Sequence, residues 1–145
     1  MKTTLTLLTL TFAFILFTGC SKTDAPVISQ QQQDVNYLVG IGNKVWRLKQ
    51  VFVQTVPQTL TDAQMKYTKT YTLDPSSSFS GSFTNSDGFN GTWKLNTSRE
   101  LKETIINNPA GSVQVLYDVN GITDSKLDIQ YTLNLKTVRE VYYAY

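Results

Sequence analysis

From residue 44 onward, apolar and polar positions alternate in short runs with a period of two, the pattern of half-buried strands. The clearest stretch is Phe79 to Leu95, where Phe79, Gly81 and Phe83, then Phe89, Gly91, Trp93 and Leu95, alternate with small or polar residues. Ser86-Asp87-Gly88 suits a three-residue hairpin loop, with Gly88 in the left-handed position. Centring that hairpin on Asp87 sets Phe83 opposite Gly91, Gly81 opposite Trp93, and Phe79 opposite Leu95. Each glycine then faces an aromatic ring, an arrangement that permits sharp bending and covers bare backbone.

Six further runs carry the pattern. Lys44 to Thr55 is the first strand, with Trp46 and Leu48 inward, and Met65 to Leu73 the second, with Tyr67, Tyr71 and Leu73 on one face. Between them Thr61-Asp62-Ala63-Gln64 has the reciprocal cap pattern of a single helical turn. The hairpin just described supplies the third and fourth strands. Leu101, Glu103 and Ile105 mark the fifth, Val113 to Val119 the sixth, Leu127 to Leu135 the seventh, and Thr137 to Tyr145 the eighth. Asn120-Gly121 invites a two-residue turn, yet that would set Val115 and Tyr117 against Lys126 and Asp124. A longer loop, Asn120 to Asp124, pairs Tyr117 with Leu127 and keeps apolar residues together. Eight sequential strands with short connections predict an all-β fold, an eight-stranded antiparallel up-and-down barrel.

The same reasoning places two charges on the aromatic face. A second hairpin centred on Pro75 puts Lys69 opposite Gly81, and a turn centred on Ser98 puts Glu103 opposite Trp93. Along the sheet the two charges are three strand spacings of about 4.8 Å apart, too far for direct contact. Two readings stand. Either the charges turn outward or sit at a wet barrel mouth with only their stems buried, or they project into a cavity and orient a ligand between apolar walls of Trp93, Tyr71 and Tyr131. Val141 to Tyr145 breaks the alternation, which predicts at least one exposed tyrosine. Spacing leaves open whether Arg139 or Glu140 points inward.

The amino terminus differs. Lys2 precedes an apolar run from Leu5 to Phe17, too short to span a bilayer and suited to a secretory segment. Thr18-Gly19-Cys20 resembles the lipobox of bacterial lipoproteins, which implies a signal peptide at residues 1–19 and acylation of Cys20, for example by palmitate. The alternative is an ordinary signal peptide and a free thiol. Residues 20–37, with Pro26 and four consecutive glutamines, lack periodicity and are expected to form a disordered tether spanning about 20–25 Å on average.

Composition narrows the function. Thirteen basic and eleven acidic residues without a basic block give no electrostatic case for nucleic acid. The chain has no histidine and one cysteine, so the expectation is no metal site, no cofactor and no catalytic constellation. A membrane-spanning barrel is a further alternative, but a lysine at the middle of its lipid face would cost about 2–4 kcal/mol.

Residues 38–145 resemble the lipocalin-like domains of bacterial lipoproteins. The resemblance rests on Gly42 and Trp46 followed by Leu48, on Asn90-Gly91-Thr92-Trp93-Lys94-Leu95, and on Arg139 of the last strand. The spacing of Gly42 and Trp46 is wider than in that family. The resemblance implies that Arg139 packs over Trp46, and that the barrel interior takes a small apolar or amphipathic ligand. Candidate ligand-binding residues are Trp46, Lys69, Tyr71, Trp93, Glu103, Tyr131 and Arg139. It further implies an exported protein, held by its lipid anchor in the cell envelope, at the outer membrane of a bacterium. A structural or interaction subunit with a filled barrel, docking an envelope protein or a glycan through exposed aromatics, is the alternative.

Overall fold

The structure is a computed structural model that describes residues 27–42 and 44–145. Elements follow in the order α1 (Gln30–Val39), β1 (Val45–Val53), β2 (Val56–Pro57), α2 (Asp62–Lys66), β3 (Thr68–Leu73), β4 (Ser80–Asn85), β5 (Asn90–Leu95), β6 (Glu100–Ile105), β7 (Val113–Ile122), β8 (Lys126–Leu133) and β9 (Lys136–Ala144). Each strand from β3 to β9 pairs antiparallel with the next, β1 pairs with β3, and β1–β9 pairing closes the ring. The result is an eight-stranded up-and-down barrel, with β2 a two-residue spur on the end of β1.

The apolar face of the strands lines the interior. Trp46, Tyr71, Phe83, Trp93, Leu101, Leu127, Ile129 and Tyr142 are buried there. Thr70, Thr72, Thr92, Lys94, Lys102 and Thr104, out of phase with these, form a polar outer wall. The central hairpin has the predicted register, with Phe83 opposite Gly91 and Gly81 opposite Trp93, and Gly88 adopts φ 86°. The two strand glycines are sterically required. A Cβ on Gly81 would lie 1.9 Å from the Thr72 carbonyl oxygen, and one on Gly91 would lie 1.9 Å from that of Thr104. The space left at Gly81 lets the Trp93 indole donate to the same Thr72 oxygen at 3.1 Å.

Three expectations are corrected. The β3–β4 register sets Leu73, not Lys69, opposite Gly81, and Lys69 faces Asn85. Asp74 accepts from the Ser76 backbone and hydroxyl, so the connection is longer than a turn centred on Pro75. Asn120-Gly121 is no turn, but neither does the chain reverse between Asn120 and Asp124 as a loop. β7 continues to Ile122 with a bulge at Asn120, and Val119 pairs with Ile129. The chain reverses at Asp124-Ser125, where the Thr123 amide bonds the Lys126 carbonyl at 2.8 Å.

The third correction concerns the tether. Residues 30–37 belong to a helix that closes one end of the barrel. Ser29 caps α1 by accepting from the Gln32 amide. Val35 and Leu38 enter the core, and Asp34, fully buried, is bound by Gln30 at 2.8 Å and by the Arg99 guanidinium at 2.9 Å. Gln31 donates to the Leu95 carbonyl at the end of β5. The signal peptide at 1–19, Cys20 and the tether up to residue 26 lie outside the described residues. α2 has the expected capping box between Thr61 and Gln64, and Tyr143 and Tyr145 are the exposed tyrosines of the last strand region.

Gly81→Ala and Gly91→Ala are each expected to lower stability by about 1–3 kcal/mol through forced backbone movement. Urea unfolding measures this; an unchanged midpoint for both would remove the bend from the account.

Candidate functional site

The polar residues inside the barrel form two neighbouring hydrogen-bonded groups. Lys69 reaches from β3 across the lumen to β6, where its ammonium donates to both Glu103 oxygens at 3.0 Å. Two strands, β4 and β5, separate them along the sheet, but closure turns β3 and β6 to face each other. Tyr71 donates to Glu103 Oε1 at 2.5 Å, and Lys69 also donates to the Tyr117 hydroxyl at 3.1 Å. Both charged residues are at most 3% exposed. Neither turns outward, so the first reading of the pair is overturned. They point inward and hold each other.

A second carboxylate lies beside this pair. Glu140 points inward from β9 and accepts from Tyr131 at 3.2 Å and from Tyr142 at 2.5 Å. The rings pack edge to face, Tyr71 against Trp93 at 6.1 Å and Tyr117 against Tyr131 at 5.3 Å. The Lys69 ammonium lies 4.6 Å from the Tyr117 ring centre. Tyr117, Glu140 and Tyr142 are members that sequence reasoning did not assign to the site. The inward position of Val138 and Tyr142 would have fixed Glu140 by parity once the register was known.

Burial pushes the Tyr71, Tyr117, Tyr131 and Tyr142 hydroxyls well up, and the neighbouring carboxylates add to this against the opposing charge of Lys69. Burial works against the Lys69 ammonium, but the oxygens of Tyr71, Glu103, Tyr142 and Tyr117 outweigh it and hold its pKa well above normal.

The remaining candidates are placed as follows. Trp46 is buried and donates from its indole to the Leu38 carbonyl at 2.8 Å, tying β1 to α1. Its cationic neighbour is Lys44, at 5.1 Å. Arg139 does not cover it. Arg139 alternates with inward Val138 and Glu140, so it lies on the outer wall, 5.3 Å from the Phe52 ring and paired twice with Asp128 at 2.7 and 2.6 Å. Burial raises the Asp128 carboxyl, but the bonds from Arg139, Lys126 and Asn120 outweigh it and keep the group below its ordinary value. Lys69, Tyr71, Glu103 and Tyr131 thus come together in the lumen with Trp93 packed beside them, while Arg139 stands apart.

On the outer wall beside Arg139 is an open groove of about 620 Å³, bordered by Phe52, Asn120, Gln130 and Thr137. Among the described residues, no group of three or more histidine, cysteine, aspartate or glutamate side chains converges to hold a metal ion. No protein-family model, curated protein or solved structure matches this chain.

Lys69→Met should cost about 3–5 kcal/mol, because it strands a buried carboxylate. Lys69→Met with Glu103→Leu should recover most of that loss in urea unfolding. An additive double variant would mean the two groups are not coupled.

The four tyrosines and Lys69 keep their protons when folded at a pH where the unfolded chain releases them, from about pH 10. Their contribution is therefore complete below about pH 10 and is lost as pH rises above it. Asp128 behaves oppositely, its contribution lost as pH falls below about 4. Unfolding midpoints measured from pH 3 to 12 should fall at both ends.

Proposed function

We propose that this protein is a lipid-anchored, lipocalin-like interaction module of a bacterial cell envelope, with a structural interior and an outer wall that meets its partner. The anchor rests on the apolar run ending at Thr18-Gly19-Cys20, which resembles a lipoprotein processing site. Export and attachment at the outer membrane follow from that resemblance.

The observation that carries the reading is the Lys69–Glu103 contact. A ligand held between these two groups would need them free, whereas they bond each other and are surrounded by Tyr71 and Tyr117. Trp46, Trp93, Tyr71 and Tyr142 fill the space around them with fully buried rings. This favours the filled barrel over one that carries a small apolar ligand inside. The polar strand faces, with Lys94 and Lys102 among them, suit a wall in water rather than in lipid.

Two measurements test the proposal. Labelling with radioactive palmitate should mark the wild-type chain and leave Cys20→Ser unmarked; equal labelling would remove the anchor. Titration with N-phenyl-1-naphthylamine, which fluoresces in apolar cavities, should give no saturable signal and no thermal stabilisation. An interior ligand at a hundred times its Kd would add about 2.7 kcal/mol, a shift a melting curve resolves easily. Saturable uptake that Lys69→Met alters would return the ligand to the lumen.

A further inference from the structure

We infer that the outer wall carries a saccharide-binding groove, where β7, β8, β9 and β1 run side by side. The inference rests on the reading of the outer wall as the partner-facing surface, and it names the chemistry of that partner. The groove's volume of about 620 Å³ falls within the usual range for small-molecule sites, about 300–1,000 Å³.

Its lining is built from groups that both donate and accept. Asn120 comes from β7, Gln130 from β8 and Thr137 from β9, and the turn after β1 adds Gln54 and Thr55. The Asn120 amide donates to Gln130 Oε1 at 3.2 Å. This orients both side chains and leaves the Asn120 oxygen and the Gln130 amino group for a ligand. A sugar hydroxyl donates once and accepts up to twice, so paired amides and hydroxyls match it better than they match an ion.

The charge balance points the same way. Two of the five guanidinium N–H groups of Arg139 are fixed on Asp128. The remaining edge lies at the groove, and Arg139 shares its carboxylate partner with Lys126, which reaches Asp128 at 3.2 Å. A cation is therefore disfavoured, and because every lining residue other than Arg139 is uncharged, with amides and hydroxyls predominating, the groove suits a neutral polar ligand. Phe52, half-buried and flanked by Arg139, supplies an apolar surface for the C–H face of a sugar ring.

The backbone is irregular at this place in two ways. Asn120 is the extra residue of the β7 bulge, and bulges re-aim side chains next to binding sites. At the other rim Gln54 and Thr55 form the two-residue turn between β1 and β2, with φ 49° and 72°, the left-handed values such a hairpin turn requires. An Asn-Gly pair would make the same turn without strain. The turn is locked to β9 by the Gln54 amide on the Thr137 carbonyl at 2.9 Å, so its two polar side chains border the groove on a fixed frame.

Calorimetric titration of the full chain with maltotriose, cellotriose and tri-N-acetylchitotriose, and with trigalacturonic acid as the charged comparison, tests the assignment. At least one neutral trisaccharide should bind saturably. Gln130→Ala and Thr137→Ala should each weaken it by about three- to tenfold, the range of a single lost hydrogen bond, with an unchanged melting temperature. Leu116→Ala, exposed elsewhere on β7, should have no effect. Failure of all neutral trisaccharides to bind, preference for the acidic one, or binding that survives Gln130→Ala with Thr137→Ala would each overturn the groove. So would a photocrosslinker at Gln130 that captures a protein in place of a glycan. Each of these leaves the naphthylamine result unchanged, so loss of the groove is distinguishable from loss of the filled-barrel reading.

Discussion

A lysine and a glutamate bonded across the lumen set the terms for the rest of the barrel. Separating them inside a low-dielectric interior would strand two charges, so β3 and β6 are held at the distance the pair spans. Such a pair is a poor source of net stability compared with apolar packing. Its effect is geometric. Tyr71 and Tyr117 satisfy the remaining oxygen positions, and their rings fill the volume that the charged groups leave. Lys69 and Glu103 thus spend their charges on each other inside the barrel.

The outer surface is not uniform. On β4 and β5 the strand glycines let neighbouring backbones approach closely and curl the sheet. On β1 and β7 extra residues at Lys49 and Asn120 shift the register. Bending by glycine shapes the closed wall, whereas the bulge at Asn120 places that side chain at the groove. The Arg139–Asp128 pair sits between the two bulges, and Asn120 reaches Asp128 at 3.4 Å as well. Fold closure and groove geometry therefore share residues.

Much of the barrel was legible in the chain because its information is local. The central hairpin, the Trp93–Glu103 pairing and the Thr61–Gln64 cap each depend on residues close in sequence, and each is present as expected. The errors came from longer connections. The Asp74–Ser80 segment folds on its own side-chain bonds, so its length hid the β3–β4 register. The run of glutamines before Asp34 looks like a linker by composition. It becomes a helix because Val35 and Leu38 find the barrel end and Arg99 neutralises Asp34, partners supplied by distant strands. The Lys69–Glu103 contact was invisible for the same reason: spacing along a flat sheet cannot measure a distance across a closed one. Family likeness points Arg139 to the wrong wall, and parity with Val138 and Tyr142 decides its direction.

Closure by β1 and β9 also has a temporal side. Trp46 lies beside Ala144, and Val53 beside Val138, so the seam joins the earliest strand to the latest. A nascent chain can zip hairpin by hairpin from β3 to β8, but until β9 emerges it holds a curled ribbon with two unpaired borders. Those borders expose free backbone groups to any neighbouring ribbon, and the long loop that must close makes the last step slow. The seam is where a half-made molecule is most open to pairing with the wrong copy.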